Sequence, residues 1–197
     1  MAHPETDSLA EANLKAIEKA VKAQNMTSKV FRVFEFPLVD KNPIKAKAFP
    51  AEFTGPSDYI SQADYIVTIG PMWNFGYPGM YKNFLDGVTQ SHKFFRFVPH
   101  AEMKKLVTTF PFLKHVCPTA MPKGLLKAKK VLMVWTADGP EWYYRVLWWK
   151  NNIARVTKAV FSYCGVTRFD QRILGTTRLR SDEERVKWLE ALEGYKF

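Results

Sequence analysis

Apolar side chains along this chain follow two rhythms, a helical spacing of three and four and short unbroken apolar runs. Their alternation predicts an α/β protein with a parallel sheet. Ser8 with Glu11 three residues on makes a capping-box pattern, and Leu14, Ile17 and Val21 then recur on one face to about Gln24. Lys29–Phe36 is aromatic and β-branched but interrupted by Arg32 and Glu35, which suits an edge strand. Residues 37–56 read as loop, rich in Pro and Lys, and 57–64 as a short helix feeding Tyr65–Gly70. That run is almost wholly apolar, as a strand covered on both faces should be. A loop over 71–78 and a helix near 79–89 follow.

Residues 91–128 mix aromatics with Pro99, Pro111, Pro118 and Pro122, and read as an irregular excursion holding one helix near 101–107. Val131–Thr136 is the next buried strand. Trp142, Val146, Trp149, Ile153, Val156, Val160 and Tyr163 then predict a long helix with an aromatic face, closed by Gly165. The Trp148-Trp149 pair on it is read as core or dimer contact. Phe169–Leu174 is the last strand, and Ser181 with Glu184 caps a C-terminal helix bearing Val186, Leu189 and Leu192. One domain over 1–197 accounts for the whole pattern.

Composition narrows the function classes. With 47% hydrophobic and 15% aromatic residues, the chain has the makings of a core without disulfides or metal. Two cysteines, Cys117 and Cys164, make no disulfide framework, so a reduced, cytoplasmic setting is expected. No run approaches a membrane span, and MAHPETDS is not a signal peptide. A formal charge of +10 attracts anions such as phosphorylated cofactors. The basic residues are scattered, among them Lys45, Lys47, Lys104, Lys105, Lys127, Lys129, Lys130 and those in the 178–185 stretch, and nucleic acid is not the expected partner. Cys117 with His115 is too sparse for a metal site, and hydrolase and nucleotide-triphosphatase motifs are missing.

The strongest local signal is Pro71-Met72-Trp73-Asn74-Phe75-Gly76-Tyr77-Pro78-Gly79, placed directly after an apolar strand. Ligands of open α/β sheets bind beyond the carboxyl ends of the strands, so this loop stands at the natural binding edge. Its backbone N–H groups suit a heteroaromatic ring, and Trp73 and Phe75 offer flat surface. A structural turn with buried aromatics is the competing reading.

From Pro71 to Asp86 the sequence PMWNFGYPGMYKNFLD resembles the flavin loop and following helix of the flavodoxin-like NAD(P)H:quinone oxidoreductases and FMN-dependent azoreductases. Three further segments match that family in order: AHPETDSL from Ala2, GLLKAKKV from Gly124, and Thr136-Ala137-Asp138-Gly139. The resemblance implies a three-layer flavodoxin-like sandwich around a parallel sheet. It also implies FMN as cofactor, with FAD as the alternative, and NAD(P)H as electron donor. His3, Ser8 and the amides of Leu9 and Ala10 would meet the flavin phosphate at a helix N-terminus. Pro71, Met72, Trp73, Asn74 and Phe75 would line the ribityl chain and one ring edge, and Thr136, Ala137, Asp138 and Gly139 would approach the other. Asp138 departs from the family's small residue, so its carboxylate should point away from the ring. Tyr144, eight residues after Thr136, is the candidate catalytic tyrosine, with helix packing as its other reading.

The family's first strand, central in the order 2-1-3-4-5, is absent ahead of Ala2-His3-Pro4, which would leave the strands at 29–36 and 65–70 without their common neighbour. The expected activity is two-electron reduction of quinones, or of azo or nitro compounds, by ping-pong hydride transfer in a homodimer. The alternatives are a flavin-binding regulatory subunit of a potassium-efflux system and an inactive, truncated relative.

Overall fold

The computed structural model describes residues 1–39, 49–74, 76–147 and 155–197. Ser8 caps the first helix, α1 (Leu9–Ala23), by accepting a hydrogen bond from the amide of Glu11. Then come α2 (Thr54–Gln62), β1 (Tyr65–Pro71), α3 (Gly79–Val88), β2 (Phe95–Pro99), α4 (Ala101–Thr109), β3 (Ala120–Gly124) and β4 (Lys130–Thr136). The chain closes with α5 (Arg155–Tyr163), β5 (Arg168–Leu174) and α6 (Asp182–Glu193).

Among the described residues the main sheet has the order β1-β4-β5, all parallel, with β4 in the middle. Val131 to Trp135 on β4 are at most 1% exposed, which is why the run is continuously apolar rather than alternating. Successive side chains of β4 serve opposite layers. Leu132 and Val134 pack with Leu14, Ile17 and Val21 of α1 and Leu192 of α6. Val131, Met133 and Trp135 pack with Phe84 and Val88 of α3 and Phe161 of α5. Helices thus cover both faces, which makes the three-layer, flavodoxin-like sandwich expected from the sequence.

The last strand and helix form as expected. Ser181 accepts from the Glu184 amide while Glu184 accepts from the Ser181 amide, a full capping box. Within the same layer, the buried side-chain oxygen of Asn13 accepts a bond from the Trp188 indole at 2.8 Å, tying α1 to α6.

Three expectations need correction. Lys29–Phe36 is not an edge strand: among the described residues no strand pairs with it, and only a 3₁₀ turn forms at Val33–Glu35. Its ladder bonds go to Met1 alone, whose amine donates to Phe31 O and whose carbonyl accepts from Val33 N. Extended propensity without a neighbouring ladder does not make a strand. The excursion is more regular than expected, since β2 and β3 pair antiparallel and bracket α4 and a 3₁₀ turn at Pro111–His115. Gly124 of that hairpin rests directly on the backbone of Gly165, whose φ of 105° needs glycine. The aromatic helix expected over 142–163 appears as a π-helical turn at Tyr143–Leu147 and then α5, while Trp148, Trp149 and Ile153 lie outside the described residues.

Among the described residues no helix is long and apolar enough to cross a membrane, and no group of three or more His, Cys, Asp or Glu side chains is placed to hold a metal.

Candidate functional site at the carboxyl ends of the strands

Parallel strands end together, so the loops leaving them share one edge. Three backbone hydrogen bonds fix that edge here. Ala2 N donates to Ile69 O at 2.7 Å, Met72 N to Thr136 O at 2.8 Å, and Ala137 N to Leu174 O at 2.9 Å. The segments 3–8, 71–76 and 136–139 therefore leave from neighbouring points.

The 71–76 loop turns back on itself through reciprocal bonds, Trp73 N to Gly76 O at 2.8 Å and Gly76 N to Trp73 O at 3.0 Å. Asn74 occupies the left-handed region at φ 47°, one of the few non-glycine types that visit it readily. Trp73 is held out of the core, 46% exposed, with Phe34 edge-on at 6.4 Å. Phe75 lies outside the described residues. Behind the loop, Tyr77 stacks on Trp135 at 3.5 Å and its hydroxyl meets Thr68 Oγ1 at 2.8 Å. Burial pushes the Tyr77 phenol well above its ordinary range, so it stays protonated and serves as the floor of the loop.

The 136–139 loop is zipped to the one after β5. Thr176 N donates to Gly139 O and Thr177 N to Ala137 O. The Asp138 carboxylate is directed at this second loop, accepting from Thr177 Oγ1 at 2.9 Å and pairing with Arg178 at 3.0 Å. Its charge is thereby partly balanced. The amide of Gly139 donates to the Tyr144 hydroxyl at 3.1 Å, leaving the phenol proton free to donate outward. A side chain at 139 would meet that hydroxyl at 2.5 Å, so glycine is what admits the tyrosine.

At the first tip, the Ser8 hydroxyl donates to Glu5 O at 3.1 Å while capping Glu11 N, and His3 Nδ1 accepts from Glu5 N at 3.0 Å. Both side chains are held within their own turn. The amides of Leu9 and Ala10 belong to the first turn of α1, where intrahelical partners do not exist.

The structure thus brings Pro71 to Asn74 together with Thr136 to Gly139 and Tyr144, with the 3–8 turn at the adjacent tip. Sequence reasoning did not single out Phe34, Thr177 or Arg178. The position of Thr177-Arg178 just past the last strand was the available signal. Cys164 is no candidate nucleophile, because burial pushes its thiol up to about 12.

A flavin suits this edge on its own chemistry. A half-exposed indole offers apolar surface for a planar ring, two tight loops present backbone at the strand tips, and a helix N-terminus stands at the next tip for a phosphate.

Comparison with known proteins places the fold and the family. A curated relative, the FMN-dependent NADH:quinone oxidoreductase of Mycoplasma genitalium, is 30% identical over 122 residues, which is 62% of this chain and 51% of that protein. The chain spans about half the length of that relative. Among solved structures, the NAD(P)H:quinone oxidoreductase of Methanothermobacter marburgensis superposes with a TM-score of 0.74 at 16% identity, covering 97% of this chain and 89% of the other. An FMN-dependent NADH-azoreductase of Bacillus anthracis, solved in complex with FMN, gives 0.67 at 16% identity, over 96% and 90%. At these identities the structural likeness speaks for the fold. The family model described as flavodoxin-like fold matches residues 1–195, nearly end to end, and the chain belongs to that family.

Proposed function

We propose that this protein is an FMN-dependent NAD(P)H oxidoreductase that reduces quinones, or azo or nitro compounds, by two electrons. The carrying observation is the convergence of the 71–76 and 136–139 loops at one sheet edge, joined by the Met72–Thr136 hydrogen bond, with an uncovered indole beside them. The relative's NADH:quinone activity supports the reaction class.

In this reading the Leu9 and Ala10 amides, with Ser8 and His3, hold the phosphate. Pro71 to Phe75 hold one ring edge and Thr136 to Gly139 the other. Bound FMN supplies hydride acceptance and donation. The protein positions donor and acceptor in turn in one slot, walled by Trp73, which is the ping-pong order. The Tyr144 hydroxyl accepts from the Gly139 amide, and in this reading its proton serves the reacting partner. Arg178, 85% exposed in its side chain, is the basic residue placed to draw a dinucleotide phosphate toward this edge. The exposed apolar side chains of Phe112, Val116, Trp142 and Val146 support a homodimer. The reaction and its cofactor are compatible with a cytoplasmic location.

The test is optical. Titrating FMN should quench its fluorescence saturably, and Trp73→Ala should weaken the affinity about tenfold or more, the loss of roughly 1.4 kcal/mol. Anaerobic NADH should bleach the bound flavin and a quinone should restore it. Bound flavin that neither NADH nor NADPH bleaches would favour a regulatory flavoprotein instead, and failure to bind FMN or FAD would reject the assignment.

A further inference from the structure

Between Phe95 and Gly124 the chain leaves the body of the domain, and none of these residues is buried. The antiparallel register fixes how the hairpin stands. Phe95, Phe97 and Pro99 of β2 share one face with Gly124, Pro122 and Ala120 of β3. That face turns toward α5, because the Phe95 and Phe97 rings meet Tyr163 at 4.7 and 6.2 Å and Gly124 rests on Gly165. The other face therefore looks away from the domain. It carries Arg96 directly across from Lys123 and, one step along, Val98 across from Met121, all four exposed.

Such a face is costly to the chain alone. Like charges set opposite each other on neighbouring strands repel, and the apolar pair beside them stays in water. The rest of the excursion has the same character. Residues 95–124 hold five basic side chains, Arg96, Lys104, Lys105, Lys114 and Lys123, against the single acid Glu102. Among the described residues none of the five side chains has an ion-pair or hydrogen-bond partner, whereas Lys93, just ahead of the hairpin, pairs with Asp58. From the same end of the hairpin, where His100 N donates to Thr119 O, α4 departs with Lys104, Lys105 and an exposed Leu106.

We propose that the outward face of this hairpin, with α4 beside it, docks on the surface of a lipid bilayer rich in anionic headgroups. The cations meet the phosphates, and Val98, Met121 and Leu106 enter the boundary between headgroups and acyl chains. Three arguments select this occupant. An isologous contact with a second copy would set the basic face against itself. Protein interfaces favour arginine over lysine, and four of the five cations are lysines, whose apolar stems lie along an acyl boundary while the ammonium reaches a phosphate. Nucleic acid would take the cations but leave the aliphatic side chains in water, since bases stack on aromatic rings. Phe112 and Val116, on the turn beyond α4, belong to the subunit contact proposed above. The inference is independent of any flavin.

Cosedimentation of the full chain with vesicles tests it, using phosphatidylcholine alone and phosphatidylcholine with about one third phosphatidylserine. The mixed vesicles should bind about tenfold more tightly or better, and added salt should erase the difference. Arg96→Glu separates binding from folding. Facing Lys123, the new carboxylate should hold the melting temperature or raise it by about 1–2 °C, yet weaken binding to the mixed vesicles about tenfold or more. Lys22→Glu changes the net charge equally but lies on α1 in the opposite layer, and should weaken binding by less than about threefold. Val98→Asn with Met121→Asn should weaken it about fivefold. Equal affinity for the two vesicles would overturn the proposal. Equal losses from Arg96→Glu and Lys22→Glu would reduce it to attraction by net charge, and full affinity in the asparagine double variant would reject insertion into a bilayer. Binding of duplex DNA that Arg96→Glu abolishes, with neither vesicle bound, would assign the face to nucleic acid instead.

Discussion

At the scale of single residues, the site depends on backbone conformations that side chains then exploit. Gly139 admits the Tyr144 hydroxyl, and the pair shares one hydrogen bond at the tip of β4. Tyr144→Phe should therefore cost the flavin-free protein about 1 kcal/mol in urea unfolding, from a half-buried amide left unpaired. If Tyr144 also serves the reaction, the same variant should lower kcat more than it raises KM, whereas a purely packing role leaves both near their original values once FMN is saturating. Asn74 gives a second check. Its φ of 47° is tolerable for asparagine and strained for a β-branched residue, so Asn74→Val should destabilise by roughly 1–2 kcal/mol while Asn74→Gly stays within a few tenths. The Asp138 carboxylate was legible as an oddity beside a flavin edge, but its partners were not, because Thr177 and Arg178 reach it from another strand's loop.

At the scale of elements, what could be read in advance was whatever announces itself locally. Unbroken apolar runs marked β1 and β4 because each is covered on both faces, and the two Ser…Glu pairs marked the starts of α1 and α6 because capping is a contact between residues three apart. Removing the second cap tests that logic: Ser181→Ala should cost about 1 kcal/mol, measured by urea unfolding, with local fraying at 182–185 seen by hydrogen exchange. Non-local pairing was hidden. The hairpin of Phe95–Pro99 with Ala120–Gly124 has proline in both strands, and its turn is replaced by a helix and a 3₁₀ segment, so no short-range signal marks it. Lys29–Phe36 failed in the opposite direction. Its composition favours a strand, yet a strand is a relation between neighbours, and here the ladder bonds come from Met1 alone. The candidate loops at 71–76 and 136–139 were legible for the same reason as the strands they follow.

At the scale of the whole molecule, two properties follow from surfaces and burial rather than from any one contact. The exposed Phe112, Val116, Trp142 and Val146 predict association: the 22.8 kDa chain should sediment at twice that mass, and a Phe112→Asp, Val116→Asp double variant should shift it toward monomer without changing its melting temperature by more than a few degrees. Unchanged sedimentation of that variant would place the contact elsewhere. The second property is a pH dependence. With its amine free, Met1 carries a group that titrates near 8 when unfolded and about 5 when folded, chiefly because burial disfavours the charge and secondarily because Arg32 repels it. Between those values the unfolded chain binds a proton that the folded one does not, so stability rises with pH across 5 to 8 and is flat on this account below 5. The span is roughly 2–4 kcal/mol. Glu11 faces the same amine and partly offsets Arg32, but its own carboxyl is held below the usual carboxylate range, first by its hydrogen bond to Arg32, so its loss of stability on protonation falls under pH 4.5, outside the window. Urea unfolding at intervals from pH 5 to 8 measures the slope directly, and any extension that turns the Met1 amine into a peptide nitrogen should flatten it. A slope that survives the extension would assign the dependence to other titrating groups and remove the buried amine as its cause.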